Sequence, residues 1–323
     1  MLSALSTAYL FLGGTGAGAL FVACVLDVAW AREPFGAEAA SVFSCASAQQ
    51  RALALTFACG LASLVAGCAC LLLDLGRMDR ALALVLHPSP SFVSFGAFAL
   101  AALMALAVFL AVVRVLYLPI ASRALVVLVE AAAAVLSCAV MLYTGLLLSS
   151  MKAVGAWDTP LVVCLFVLSS LSCGIAVALI CGFADGWSSR VFAMPRGLLV
   201  ADAVIIVCEL VAAVLYSAVV PSAVSFDGLV AGNGVLVALW WLGFTACGLV
   251  APAVLELVSG RAILSGRGPR AFVFIAVAAV LVLTGGACLR FCIANAGGHD
   301  SLSLAAPMSQ PVDLGNTEGG WTL

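Results

Sequence analysis

Long apolar runs separated by short polar segments dominate the pattern of this chain. Eight of them can be drawn, at about 5–30, 52–74, 92–118, 122–149, 160–184, 197–220, 234–257 and 270–293. Each is long enough, as a helix, to cross a hydrocarbon core of about 30 Å. A barrel strand would instead show alternation over about 10 residues, so the spans are read as α-helices. The stretch from Tyr143 to Gly174 shows the organisation best. One run ends at Ser149-Ser150, a polar hinge covers Met151 to Asp158, and Pro160 opens the next run. Proline suits the first turn of a helix, where its missing N–H is not needed, and Asp158 and Thr159 stand where an N-cap is expected. The predicted unit is a helical hairpin with Tyr143 near the end of its first arm and Lys152, the single lysine, and Trp157 at its tip.

Composition turns these spans into a class. Hydrophobic residues make up 65% of the chain and charged residues 9%, against about 25% charged in soluble domains. The expected fold is an all-α integral membrane protein with eight transmembrane helices in two four-helix halves, 1–150 and 151–296, followed by a polar tail, 297–323. The first run lacks a basic leader and is too long for a signal-peptide core. A faint parallel repeat supports the halves: Leu12-Gly-Gly-Thr-Gly-Ala-Gly18 matches Leu168-Ser-Ser-Leu-Ser-Cys-Gly174 in its small residues. Arg32, Arg51, Arg114, Arg123, Arg190, Arg196, Arg261, Arg267 and Arg270 fall on one side, and Arg77, Arg80, Lys152 and Arg290 on the other. The positive-inside rule makes the first side cytoplasmic and both termini extracytoplasmic, in the cell membrane. The net charge of −2 says little about partners.

Several motifs dissolve on inspection. Gly14-x-Gly16-x-x-Ala19 fits a dinucleotide-binding pattern, but that motif needs a preceding strand. Inside a span, Gly14-x-x-x-Gly18 reads as a close helix–helix contact. Thirteen cysteines contain no C-x-x-C and lie mostly within apolar runs, so they read as small fillers of helix contacts. The two histidines, His87 and His299, lie outside the spans, which leaves no pair of axial ligands for a membrane haem. The expectation is a protein with neither haem nor metal of its own; if electrons move here, a partner carries the metal.

Ionisable residues inside a membrane are costly and mark function by default. Asp27, Arg114, Asp185, Asp202 and Glu256 lie near the cytoplasmic ends, with Asp27 a candidate partner for a snorkelling Arg114. Glu130 is about two turns in, and Glu209 is the deepest, roughly 17 Å along its helix. For Glu130 and Glu209, an interhelical hydrogen bond and a place in a proton path are both open. At the outer mouth, Asp74, Arg77, His87, Ser89 and Ser91 gather on the side of Tyr143. Capping roles explain part of this, and a polar pocket for a quinone head group explains it as well.

A family resemblance enters on these residues. The first helix carries Tyr9-Leu-Phe-Leu-Gly-Gly-Thr-Gly-Ala-Gly-Ala19, and the second ends in Leu73-Asp-Leu-Gly-Arg77. Ser89-Pro-Ser-Phe-Val-Ser-Phe-Gly96 opens the third, and Tyr143-Thr-Gly145 leads to Trp157-Asp-Thr-Pro160, Phe166 and Ser169-x-x-x-x-Gly174. Leu289-Arg290 with Ala296-Gly297 closes the last. Over nearly its whole length the sequence resembles the polysulfide reductase/NrfD-type membrane subunits. The resemblance implies eight helices, no haem, and a menaquinone site near the extracytoplasmic face between helices of the N-terminal half. It implies two partners, a four-cluster ferredoxin-like iron–sulfur subunit and a molybdopterin catalytic subunit. Tyr143 matches a tyrosine of the family's site, and Tyr9, Asp74, His87 and Lys152 complete the expected quinone-binding set, with Arg77 and Trp157 toward a partner. The family's His or Asn at the start of the first helix is replaced here by Ser3-Ala-Leu-Ser6-Thr7-Ala8. Asp27, Arg114, Glu130 and Glu209 are the expected proton path. Eight spans with buried carboxyls also fit a secondary transporter built on discontinuous helices, or an anchor without quinone binding.

Overall fold

The computed structural model describes residues 3–30, 48–75, 92–115, 122–150, 156–184, 193–220, 234–264 and 268–296. His87, Lys152, Arg77 and the 297–323 tail lie outside the described residues. Among the described residues nearly all are helical and none is in a strand. The helices are α1 (Ala4–Trp30), α2 (Ala48–Leu75), α3 (Phe92–Val115), α4 (Arg123–Ser149), α5 (Pro160–Ala184), α6 (Ala193–Val219), α7 and α8 (Gly268–Ala296). Helix α7 runs from Gly234–Ala238 through a π-helical stretch, Leu239–Val250, into Ala251–Leu264. All eight are long and apolar enough to cross a membrane, so the protein is a multi-pass helical membrane protein, as its runs predicted.

The helices differ in how much of them the protein covers. Within the spans, 72% of α1 and 61% of α5 is buried, against 28% to 44% for the other six. Helices α1 and α5 are therefore the inner pair. Helix α1 packs on α2, α4, α5 and α8, and α5 packs on α1, α2, α4, α6 and α8. The outer helices keep apolar side chains on both faces: Leu73, Leu128, Val135 and Val235 are each more than two-thirds exposed. Such residues face lipid, where an apolar surface needs no cover.

Small residues let the inner pair meet. A Cβ on Gly18 would run into the backbone of Ser170, and one on Gly174 into the backbone of Gly18. Association in lipid depends on this kind of close packing, because apolar side chains gain nothing by leaving lipid for protein. Gly18 and Gly174 are also the matching positions of the faint repeat, so its two copies touch at corresponding points.

The seventh span departs from expectation, because few mid-span interruptions are visible in the sequence beyond the first helix. The Thr245 hydroxyl donates to the Trp240 carbonyl five residues back, at 2.9 Å, and the Ala251 N–H reaches Ala246 in the same register. Pro252 follows directly. A proline in a helix interior removes a hydrogen bond and crowds the carbonyl four residues earlier, and the widened turn relieves that crowding. On the same stretch Gly248 lies against Gly285 of α8.

The hinge is pinned where it re-enters the bundle. Trp157 Nε1 donates to the Ile293 carbonyl at 2.7 Å, and the Tyr216 hydroxyl donates to the Ala156 carbonyl at 3.0 Å. Pro160 opens α5 as expected. The Thr159 hydroxyl, however, is buried without a hydrogen-bond partner, so it does not supply the expected cap.

The packing predicts a contrast between glycines. Gly174→Ala should lower unfolding stability in detergent by about 1–3 kcal/mol, the cost of overpacking. Gly197→Ala, where a Cβ meets nothing within 4 Å, should be neutral or stabilising by up to about 1 kcal/mol. Denaturant titration of the two variants checks this; equal stabilities would mean that the α1–α5 contact is not tight.

Candidate functional site

Polar side chains are rare in this bundle, and they gather in a few places. The first is the membrane face that holds the start of α1 and the end of α8. Ser3 caps α1, its hydroxyl accepting from the Ser6 N–H at 3.0 Å. The hydroxyls of Ser3 and Ser6 both donate to Asp74 in the last turn of α2. A carboxylate at a helix N-terminus also meets the positive end of the helix dipole. One to two turns further in lie two buried tyrosines, Tyr9 of α1 at 4% exposure and Tyr143 of α4 at 6%. The two phenols are within electrostatic reach of one another, and the Cys68 thiol of α2 is within reach of Tyr9. The Tyr143 ring fits because residue 96 of α3 is glycine: a Cβ there would fall within the ring. The structure thus brings Tyr9, Tyr143 and Asp74 to one end of the α1–α4 group.

A second cluster surrounds Arg290 of α8. Counted in the sequence among the outer-side charges, it is fully buried. Nε donates to the Leu10 carbonyl at 3.1 Å, and Nη1 to Ser169 Oγ at 2.9 Å and the Gly286 carbonyl at 3.0 Å. Nη2 donates to Ser170 Oγ at 2.8 Å. The guanidinium carbon sits 5.4 Å from the Phe166 ring centroid and 5.8 Å from that of Phe11, within cation–π range. A Cβ on Gly14 would come within 2.7 Å of Nη2, so the glycine makes room for the charge. Ser169 also hydrogen-bonds Glu209 of α6, whose carboxylate is within electrostatic reach of Arg290. A buried charge needs hydrogen bonds and an opposite charge nearby; this arginine makes four hydrogen bonds, and Glu209 is within electrostatic reach without forming an ion-pair contact.

The third cluster lies at the opposite face. Arg114 of α3 forms ion pairs with Asp27 of α1 and Glu130 of α4, the latter at 2.8 Å. Asp27 is thus the arginine's partner, and Glu130 makes an interhelical bond. Nε of Arg114 and Oε2 of Glu130 are buried with no hydrogen-bond partner.

Trp157 was expected toward a partner, but it is 6% exposed and donates into α8, which places it inside the bundle. Ser3, Ser6, Gly96, Ser169, Ser170 and Arg290 do not stand out as site residues in the sequence. Only Arg290 leaves a signal there: a charge within a few turns of the end of an apolar run, where the alternative to a loop is an intramembrane site.

This arrangement defines a class: a polytopic helical membrane protein with a polar cluster at one mouth and charged networks buried between its helices. The model of the family "Polysulphide reductase, NrfD" matches residues 3–299, and the chain belongs to that family. It is also similar to the C subunit of the polysulfide reductase of Wolinella succinogenes, with 31% identity over 172 residues. That match covers 50% of this protein and about half, 51%, of the relative.

Arg290 gives a stability test. Arg290→Ala should cost roughly 3–5 kcal/mol, because it leaves the two serines without their donor and Glu209 without its nearby positive charge. Arg290→Lys keeps the charge but not the planar fork and should recover less than half of the loss. Unfolding in mixed micelles measures both; a stable Ala variant would show that the network does not brace the fold.

Proposed function

We propose that this protein is the quinone-binding membrane subunit of a respiratory oxidoreductase, exchanging electrons between menaquinol and a docked iron–sulfur partner. The observation that carries the reading is the pair of buried phenols, Tyr9 and Tyr143, beside the serine-held Asp74 at one mouth of the bundle. A quinone head group needs hydrogen bonds at two oxygens, a group that takes protons, and apolar walls for its tail. The phenols, the carboxylate and the surrounding core match that list. Family membership supports the reading, and the Wolinella relative is named as part of a polysulfide reductase.

In this reading the quinol enters from lipid between helices of the N-terminal half, 1–150. The Tyr143 and Tyr9 hydroxyls fix its oxygens. Asp74 receives its protons, and on the sequence alone His87 is assigned to share that role and Lys152 to contact the head group. Quinol supplies two electrons and two protons. The electrons leave to a docked four-cluster ferredoxin-like subunit, with Arg77 among its expected contacts, which serves a molybdopterin catalytic subunit. Asp27, Arg114, Glu130 and Glu209 act as a proton path. The membrane is the cell membrane, with both termini extracytoplasmic, as the arginine distribution favours.

Removing one hydrogen bond to a bound oxygen costs about 1.5 kcal/mol, or roughly tenfold. Tyr143→Phe should therefore lower kcat/KM for quinol oxidation in the assembled complex by about tenfold, and adding His87→Ala should lower it further. Gly96→Ala, which removes no polar group but displaces the Tyr143 ring, should reproduce much of the first loss. Undiminished quinol oxidation in the Tyr143→Phe/His87→Ala double variant rejects the site. Purification with no iron–sulfur partner favours a transporter instead.

A further inference from the structure

Two carboxyls remain that the proposed site does not use. Asp202 of α6 is 1% exposed and Glu256 of α7 is 4% exposed, both apparent in the sequence only as acids near helix ends. Ser172 of α5 donates to Asp202 Oδ1 at 2.7 Å. The other oxygen, Oδ2, and Oε2 of Glu256 receive no donor from any surrounding group. Yet the two carboxyls lie within hydrogen-bonding reach of one another. A contact between two carboxyl oxygens needs a hydrogen between them. Two carboxylates at that distance in an apolar interior would repel, with little solvent to screen them.

The surroundings show where that hydrogen can come from. Asp202 lies nine residues from the start of α6, and Glu256 eight from the end of α7. At 1.5 Å per residue both are roughly 12–14 Å along their helices from those ends, which lie at the face opposite the start of α1. The groups around the pair are Ser172 and Cys173 on α5 and Glu209 two turns further along α6, while on α7 the Ser259 hydroxyl donates to the Glu256 backbone carbonyl. Beyond Glu209 stand Ser169 and Arg290. Asp202 and Glu209 share one face of α6, seven residues apart, as Ser172 and Ser169 share one face of α5. A polar line thus runs from the pair toward the Arg290 cluster through otherwise apolar helices.

We propose that Asp202 and Glu256 form a proton-binding dyad, holding one exchangeable proton between their facing oxygens and exchanging it with water at the face opposite the start of α1. The ligand is the proton itself: no bond between heavy atoms changes and no electron moves. The dyad lies in the C-terminal half, away from Tyr9 and Tyr143, and it holds its proton with no quinone bound. It deepens the proton-path part of the proposed function and stands if the quinone part fails.

Infrared spectroscopy of the full-length protein in lipid vesicles, without quinone, tests it. The wild type should show a protonated-carboxyl C=O band that shifts in D2O. Asp202→Asn and Glu256→Gln should each abolish that same band, because either amide can donate to the remaining carboxylate and replace the proton. Glu209→Gln should leave it in place. Two independently ionised carboxylates would give no such band, and a band surviving both amide variants would belong to another residue; either result overturns the proposal. Replacing choline by Na+ should leave the band unchanged, and its loss on adding Na+ would assign the pair to a sodium ion instead. If neither amide variant folds, the wild-type spectrum decides: no deuterium-sensitive carboxyl band means no shared proton.

Discussion

The backbone contact between α1 and α5 at Gly18 and Gly174 is the constraint on which the other arrangements depend. Two helices that touch backbone to backbone cannot carry large side chains at the crossing. Gly14 and Ser170, one turn away, then leave a space between the helices that Arg290 of α8 fills. Its donors bind α1 at Leu10 and α5 at Ser169 and Ser170. Van der Waals contact and charged hydrogen bonds thus act on the same helix pair. In a bilayer, where burying apolar surface gives no net drive to association, these are the two forces left to hold inner helices in register.

The polar groups follow from that register. Each buried charge reaches across to another helix: Arg114 to α1 and α4, Arg290 to α1 and α5, Asp202 to α5 and α7. None of these contacts is within a single helix turn. A displacement of one helix by one residue would leave several charges without partners in a medium that solvates none of them. The networks therefore fix the rotation of each helix, as the glycines fix the distance between α1 and α5.

How much of this is legible in the sequence depends on whether a feature is a property of one helix or of several. The spans are readable because length and hydropathy act locally, and α1, α4 and α5 begin and end within a residue or so of where the runs do. The small-residue run in α1 is readable as a contact because glycines within a span have few other uses. The pairing of Asp27 with Arg114 is readable from depth alone. The burial of Arg290 is not: six residues from the end of its helix, it can snorkel to the surface or turn inward, and only the gap at Gly14 decides. Ser3 and Ser6 do not stand out because serine near a helix start is ordinary, and what singles them out is Asp74 on another helix. The π-helical stretch is hidden because Pro252 alone does not say whether a helix kinks or widens.

The placement of the clusters also bears on how a single polypeptide could separate two tasks. Tyr9, Tyr143 and Asp74 stand at the face of the start of α1, on α1, α4 and α2, while Asp202 and Glu256 stand near the other face, on α6 and α7. Only the inner helices belong to both surroundings, and Arg290 is the charged group that touches both of them. Its Nε holds the carbonyl of Leu10, the residue after Tyr9, and its Nη1 holds Ser169, which in turn bonds Glu209. A change of charge at the phenol end would therefore be felt at Glu209 through one guanidinium and one hydroxyl, without moving a helix. In the proposed reading, loss of protons from quinol at one mouth and proton binding at the dyad are linked electrostatically. Such a link requires the rigid α1–α5 crossing, because a loose one would absorb the change by repacking.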